Sequence, residues 1–458
     1  MNIRKYITYI GLTLSILFNT SCSLDEKWYS SVTPEIYYQS KEAVIGALGR
    51  PFTHWIWYTQ QNRSFYLQEY GSDVICLPTR GTDWYNGGAY QRRHHHEWTV
   101  NEDDIWIAWR GIGQGVSYIM EVSEDLNNVN YDALGFSAGT KEDHLSQLKT
   151  LQAYFYWRGL DYFGGIPIYY NINEKDNKPR NTDQETFNHI EKLLLEAIPL
   201  IKPKETLGQK EDGFISQAAA AALLARLYFN AESYIGTPMY DKAEKICDDI
   251  IKGEYGNYDL DKTWYGPHSF ENDKSPEMIW VTPSEPGYQQ FEWWYKHFGH
   301  YETYKYLDLE VKGNNGGCLT PSLKPDGTPY TFKLGRPFAK FNDNDLRKKP
   351  YVYLGKKKYE GMFLMGEQKN PLTGSESKGN REYKNKSLTL VDYIGRMSEV
   401  GTDKKYASAS DLPSTIADAE ENSGIRPWKV PMPNMADVAY RWEPDNPIIR
   451  IICKLNVK

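Results

Sequence analysis

Arg80, Asp83, Trp84 and Tyr85 stand close together in a stretch crowded with turn formers. A second set, Trp293, Trp294, Tyr295 and Tyr301, lies in the densest aromatic run of the chain, residues 287–306. Flat indole and phenol faces next to carboxylate and guanidinium groups suit stacking on ring-shaped, hydroxyl-rich ligands, with the polar groups taking up hydroxyls at the rim. Aromatics of this kind also serve packing and protein interfaces, but two such clusters together favour the ligand reading.

Bond-breaking chemistry finds no comparable pattern. Glycoside hydrolysis needs two carboxyl groups about 5 to 10 Å apart across a cleft, and nothing in the spacing of Asp and Glu places two of them so. HExxH and phosphate-loop motifs are missing from the chain. His94, His95 and His96 are consecutive, and side chains of adjacent residues in extended chain point to alternate faces, so they read as solvated loop residues and not as a chelate. The cysteines are Cys22, Cys76, Cys247, Cys318 and Cys453, with no CxxC pair to suggest zinc. Their pairing stays open, and Cys247 reads as a small buried hydrophobe on a helical stripe. The expectation is a binding protein without catalytic residues, metal or cofactor.

Composition narrows the partners. A net charge of −7 over 458 residues argues against nucleic acid, whose phosphates call for a basic surface. Aromatics make up 14% of the chain, with 36 Tyr and 14 Trp, which supplies far more ring surface than two clusters use.

The elements that must position these residues are mainly helical. Residues 214–260 form a hairpin: Ala218 to Ala222 allow close helix approach, Leu223, Leu224, Leu227 and Tyr228 share a face, and Thr237-Pro238 restarts the chain. Ala243, Ile246, Cys247, Ile250 and Ile251 then make an amphipathic stripe, closed by Gly253 as a C-cap. Upstream, helices are expected over 102–126, with Ile105, Trp109, Ile112, Val116 and Met120 as its stripe, and over 142–163, with Leu148, Leu151, Phe155 and Tyr162. Gly111, Gly113 and Gly115 weaken the first of these unless they admit a neighbouring helix. Thr182 and Glu185 form a capping box ahead of a third. Residues 71–97 read as a long loop. After Asp261 helical periodicity fades, and Ser275 to Val281 holds a run fit for a strand. Helix pairs at loose spacing imply a solenoid-like scaffold of tetratricopeptide type, followed by a loop-rich part with a few short strands.

Residues 1–22 carry Arg4 and Lys5, then an apolar run too short for a comfortable membrane span, then Cys22. The segment resembles a bacterial lipoprotein signal in which Cys22 becomes the lipidated first residue, and the acids Asp25 and Glu26 resemble the surface-export tag of Bacteroidetes lipoproteins.

Four landmarks together resemble the SusD/RagB family of outer-membrane nutrient-binding lipoproteins: Cys22 with its following acids, the segment from Leu151 to Ile168, the alanine-rich hairpin, and Ser275 to Trp280. The resemblance implies residues 1–21 as signal peptide, 22–213 as an N-terminal helical region, 214–260 as a central helical hairpin and 261–458 as a C-terminal region. That last region is incomplete by the family's pattern, because a long helix is expected after Pro447 to Arg450. It also implies a tetratricopeptide-like scaffold, docking on a SusC-like TonB-dependent outer-membrane transporter, and capture of a glycan at the cell exterior by a lipid-anchored protein. Capture of peptides, as in RagB-like relatives, and a surface glycoside hydrolase are the alternatives.

Overall fold

The computed structural model describes residues 33–450, apart from 60, 209–212, 270–271, 285–296, 308–311, 332–334, 357, 404 and 430–445. Cys22, Trp293, Trp294, Tyr295 and the segment after Arg450 therefore lie outside the described residues.

Stretches in which apolar residues recur every three or four positions become the long helices: α1 (Lys41–Thr59), α2 (Asp103–Asn128), α3 (Thr140–Phe163), α4 (Asp183–Ala197), α5 (Gln217–Phe229) and α6 (Tyr240–Lys252). Each packs on the next in chain order, so every apolar stripe is covered by its successor, as in a helical-repeat scaffold. α3 sits deepest, with Leu148, Leu151, Phe155, Tyr156, Trp157 and Leu160 all buried. The expected capping box is present at the start of α4: Glu185 N–H donates to Thr182 Oγ1 at 3.1 Å, and Thr182 N–H donates to Glu185 Oε2 at 2.8 Å. Between α3 and α4, Gly164 takes a left-handed φ of 73°. A Cβ on Gly165 would lie 2.1 Å from the Asn181 carbonyl oxygen, so only glycine lets the chain double back there.

Ala218 to Ala221 are fully buried, as the close approach of α5 to its neighbours requires. Gly253 caps α6 with φ 86°. Three details differ from expectation. Pro238 precedes α6 instead of sitting in its first turn, because Met239 holds the non-helical cap position. Cys247 is exposed: α6 buries only Ala243, Ile246 and Ile250, a narrow stripe with α5 as its main cover. The buried face of α2 runs through Ala108, Ile112, Val116, Ile119, Val122 and Leu126, which leaves Trp109 exposed at its margin, edge-on to Phe163 at 5.2 Å.

The three glycines of α2 divide by position. A Cβ on Gly111 would meet the Tyr58 ring at 2.7 Å, and one on Gly115 would meet the Phe155 ring at 2.5 Å, so these two admit α1 and α3. Gly113 faces open space.

The rest of the chain forms a loop-built cap around a second core, including Tyr66, Tyr70, Phe298, Tyr351, Phe363 and Trp428. Its strands are short, and those used below are β1 (Ile75–Cys76), β2 (Met278–Thr282), β3 (Cys318–Leu319), β4 (Phe363–Leu364), β5 (Arg426–Pro427) and β6 (Asn446–Arg450). They pair antiparallel, β1 with β3, β2 with β6 and β4 with β5. β2, entirely buried, seats this part on the scaffold: Trp280 stacks on Trp55 of α1 with ring centroids 4.9 Å apart. Ser216, the N-cap of α5, donates its hydroxyl to the Ile279 carbonyl at 3.2 Å.

The glycine geometry sets a prediction. Gly115→Ala should destabilise the scaffold by about 1–3 kcal/mol through overpacking, whereas Gly113→Ala should stabilise it by up to about 1 kcal/mol through helix propensity. Urea unfolding followed by circular dichroism distinguishes the two signs.

Candidate functional site

The first aromatic cluster sits on a tight turn. Arg80 and Asp83 exchange backbone hydrogen bonds of 3.0 and 3.1 Å around Gly81, whose φ is 63°. Trp84 follows with φ 62°, a left-handed conformation that a bulky residue adopts only when its surroundings hold it there. The hold is visible: its indole N–H donates to the Asn314 carbonyl at 2.9 Å, and its ring stands edge-on to His297 at 5.3 Å. Expected as loop throughout, residues 71–97 instead include a short helix, Ala89–His94. Arg92 on that helix grips Glu102 through two bonds, of 2.6 and 3.0 Å, and donates to the Gly87 carbonyl at 2.7 Å, which closes the loop on its own base.

The expected site residues separate into two groups. Asp83 and Tyr301 come together with Arg381, while Trp84 and Tyr85 follow Asp83 in the chain without a contact to Tyr301 among the described interactions. Asp83 accepts hydrogen bonds from the Tyr301 hydroxyl and from Arg381, and the Arg381 guanidinium lies over the Tyr301 ring at 4.7 Å. Tyr85 is 55% exposed, while Trp84 is half-buried with part of its ring in reach of solvent.

Arg80 corrects the expectation of a rim residue. It is 1% exposed and turned inward, donating to the carbonyls of Glu420 at 2.5 Å and Ser423 at 2.9 Å. Its guanidinium spans backbone from the far end of the chain and cannot reach a ligand outside. Arg381 is the residue that sequence reasoning missed; it lies in a weakly patterned polar stretch, and only the fold brings it to Asp83.

Beneath this surface lies a layer of buried polar side chains. Arg426 donates to Asn315 Oδ1 at 2.7 Å and to the Ser423 carbonyl at 3.1 Å. Burial, reinforced by the nearby charge of Arg80, brings its pKa down to about 9. Glu421 accepts from the backbone N–H groups of Asn380, Arg381 and Tyr383 at 2.8, 3.1 and 2.8 Å, and lies 3.1 Å from His300 Nε2. Burial alone would raise its pKa, but these hydrogen bonds outweigh that and hold it at about 2. His297, wedged between Tyr66 and Tyr70, has its pKa lowered to about 3 by burial and by Arg426. Among the described residues, no group of three or more His, Cys, Asp or Glu is arranged to hold a metal ion.

The arrangement defines a class of protein: a stack of paired helices presenting a cap whose surface offers ring faces beside hydrogen-bonding groups. Comparison with known proteins shows what this chain is similar to. Residues 24–229 match the SusD-like family described as "Starch-binding associating with outer membrane". The starch-binding protein SusD of Bacteroides thetaiotaomicron is 28% identical over 166 residues, covering 34% of this chain and 29% of that protein, so the match spans less than a third of the relative. A SusD superfamily structure from Parabacteroides distasonis superposes with a TM-score of 0.59 at 13% identity, over 92% of this chain and 74% of that one. A laminarin-binding SusD-like protein superposes with a TM-score of 0.58 at 13% identity, over 90% and 78%. Residues 24–229 are thus similar to the SusD-like family, and the fold over most of the chain is that of SusD superfamily structures.

Acid should loosen the cap first through its histidines. An unfolded histidine takes up a proton near pH 6.5, whereas folded His297 resists until about pH 3. The unfolded state therefore binds more protons throughout that window, and stability falls as pH falls. Glu421 works in a lower window, since the stability it contributes is present above the unfolded carboxylate value and is lost as pH drops toward about 2. Between about pH 7.5 and about pH 5, the His297 ring alone should cost about 2 kcal/mol. Thermal unfolding at the two pH values checks this, and His297→Gln should narrow the gap.

Proposed function

We propose that this protein captures oligosaccharide or polysaccharide nutrients at the outer membrane without cleaving them, and passes them to a TonB-dependent transporter. The observation that carries the reading is the turn at Asp83–Tyr85. An exposed tyrosine and a half-buried tryptophan directly follow Asp83 in the chain, and Asp83 is itself held by Tyr301 and Arg381. Sugar rings stack on such faces through their C–H surface, while carboxylate and guanidinium edges pair with hydroxyls. Preformed geometry spares the ordering cost that a mobile loop would carry. The family description and the laminarin-binding neighbour support a glycan as cargo. Within this reading Trp293, Trp294 and Tyr295 furnish a second aromatic surface, and Cys22 carries the lipid that tethers the chain to the membrane. No described helix is long and apolar enough to cross a membrane, so in this reading the acyl chains provide the attachment.

Native affinity electrophoresis in gels containing amylopectin or laminarin tests it. The protein should be retarded in at least one gel, and Tyr85→Ala should weaken retention about tenfold, or ~1.4 kcal/mol, with an unchanged circular dichroism spectrum. Unaltered retention in the variant would remove Tyr85 from the site. New reducing ends in the incubated glycan would replace capture with hydrolysis.

A further inference from the structure

Two of the cysteines meet inside the cap. Cys76 on β1 and Cys318 on β3 are register partners in an antiparallel pair, and both side chains are fully buried. Their Sγ atoms lie 3.7 Å apart, although 242 positions separate them in the chain. Residues directly opposite in an antiparallel ladder have Cα atoms about 4.5–5.5 Å apart, inside the roughly 4.4–6.8 Å that a disulfide spans. The surroundings are close-packed. Ile394, Ile416 and Ala419 wall them in, and a Cβ on Gly424 would fall 2.3 Å from Cys318 Sγ. Arg80 Nη2 lies 3.7 Å from the same sulfur.

We propose that Cys76 and Cys318 become an intramolecular disulfide in the exported protein, cross-linking the segment that bears the Arg80–Tyr85 turn to the segment that follows Asn315. Exported chains fold in an oxidising compartment, where such bonds persist. Either thiol can begin the exchange while the cap is still open. With a small disulfide such as oxidised glutathione as oxidant, Cys318 thiolate attacks one glutathione sulfur and expels the first glutathione as thiolate. Cys76, after losing its proton to solvent, attacks Cys318 Sγ and expels the second. Two cysteine thiols are thereby oxidised and one glutathione disulfide is reduced to two thiols. Both sulfurs are enclosed in the finished fold, so the exchange belongs to the stage before the cap closes.

The test uses the full chain exported in a bacterial host, extracted in detergent, alkylated with N-ethylmaleimide in denaturant without reductant, and mapped by proteolysis and mass spectrometry. The expected product is a linked pair of peptides containing Cys76 and Cys318 that separates on reduction. Dithiothreitol should also lower the melting temperature of the wild type by several degrees, and leave Cys318→Ser unmoved. Recovery of both cysteines as maleimide adducts overturns the proposal, as does linkage of either one to Cys247, Cys453 or a second copy of the chain.

Discussion

Irregular backbone can be buried only if its N–H and C=O groups find partners, and the cap buries a great deal of it. Helices solve this internally and extended sheets solve it between strands, but strands of two to five residues leave most groups unserved. Charged side chains fill the gap here. Arg80 and Arg426 spend their guanidinium donors on carbonyls of residues 420–424 and on neighbouring segments, and Glu421 collects N–H groups from residues 380–383. Arginine suits this work because its planar fork serves several acceptors at once and stays charged where lysine would not. Removing either member of such a set leaves the other buried and uncompensated, which costs more than the bond itself is worth.

The Arg80–Tyr85 turn inherits its rigidity from that layer. The main-chain carbonyl of Arg80 accepts from Arg381 at 2.7 Å, and Arg381 in turn reaches Asp83, so the turn carrying Trp84 and Tyr85 is tied to the buried network at both ends. The scaffold acts at one remove. It supplies a seat through the Trp55–Trp280 stack and the β2 strand. Helical repeats thus give a firm platform while loops give chemistry, a division that lets surface residues vary at little cost to the fold.

How far the sequence could be read follows the same division. Local physics wrote the scaffold plainly: the alanine run, the Thr182–Glu185 box and the Gly253 cap each depend on neighbours within a few positions. Helical phase was harder where one face is only partly covered, so Trp109 and Cys247 read as interior and lie outside. The cap was the least legible. A guanidinium beside aromatics looks the same whether it faces water or carbonyls, and the partners of Arg80 lie hundreds of positions away. The grouping of Asp83 with Tyr301 and Arg381 is likewise a tertiary fact, although Asp83, Trp84 and Tyr85 could be picked out as a set by residue type alone.

The second core also has a temporal side. Tyr66, Tyr70, Ile75 and Leu77 are synthesised early, yet their packing partners run from Phe298 to Trp428. The helical stack can close pair by pair as its members are made, while this aromatic segment stays uncovered until the last third of the chain arrives. Contacts of such long separation are slow to form, and the exposed rings are sticky in the meantime. Burial of residues 65–77 therefore marks the moment at which the whole chain, and not the helical stack alone, has folded.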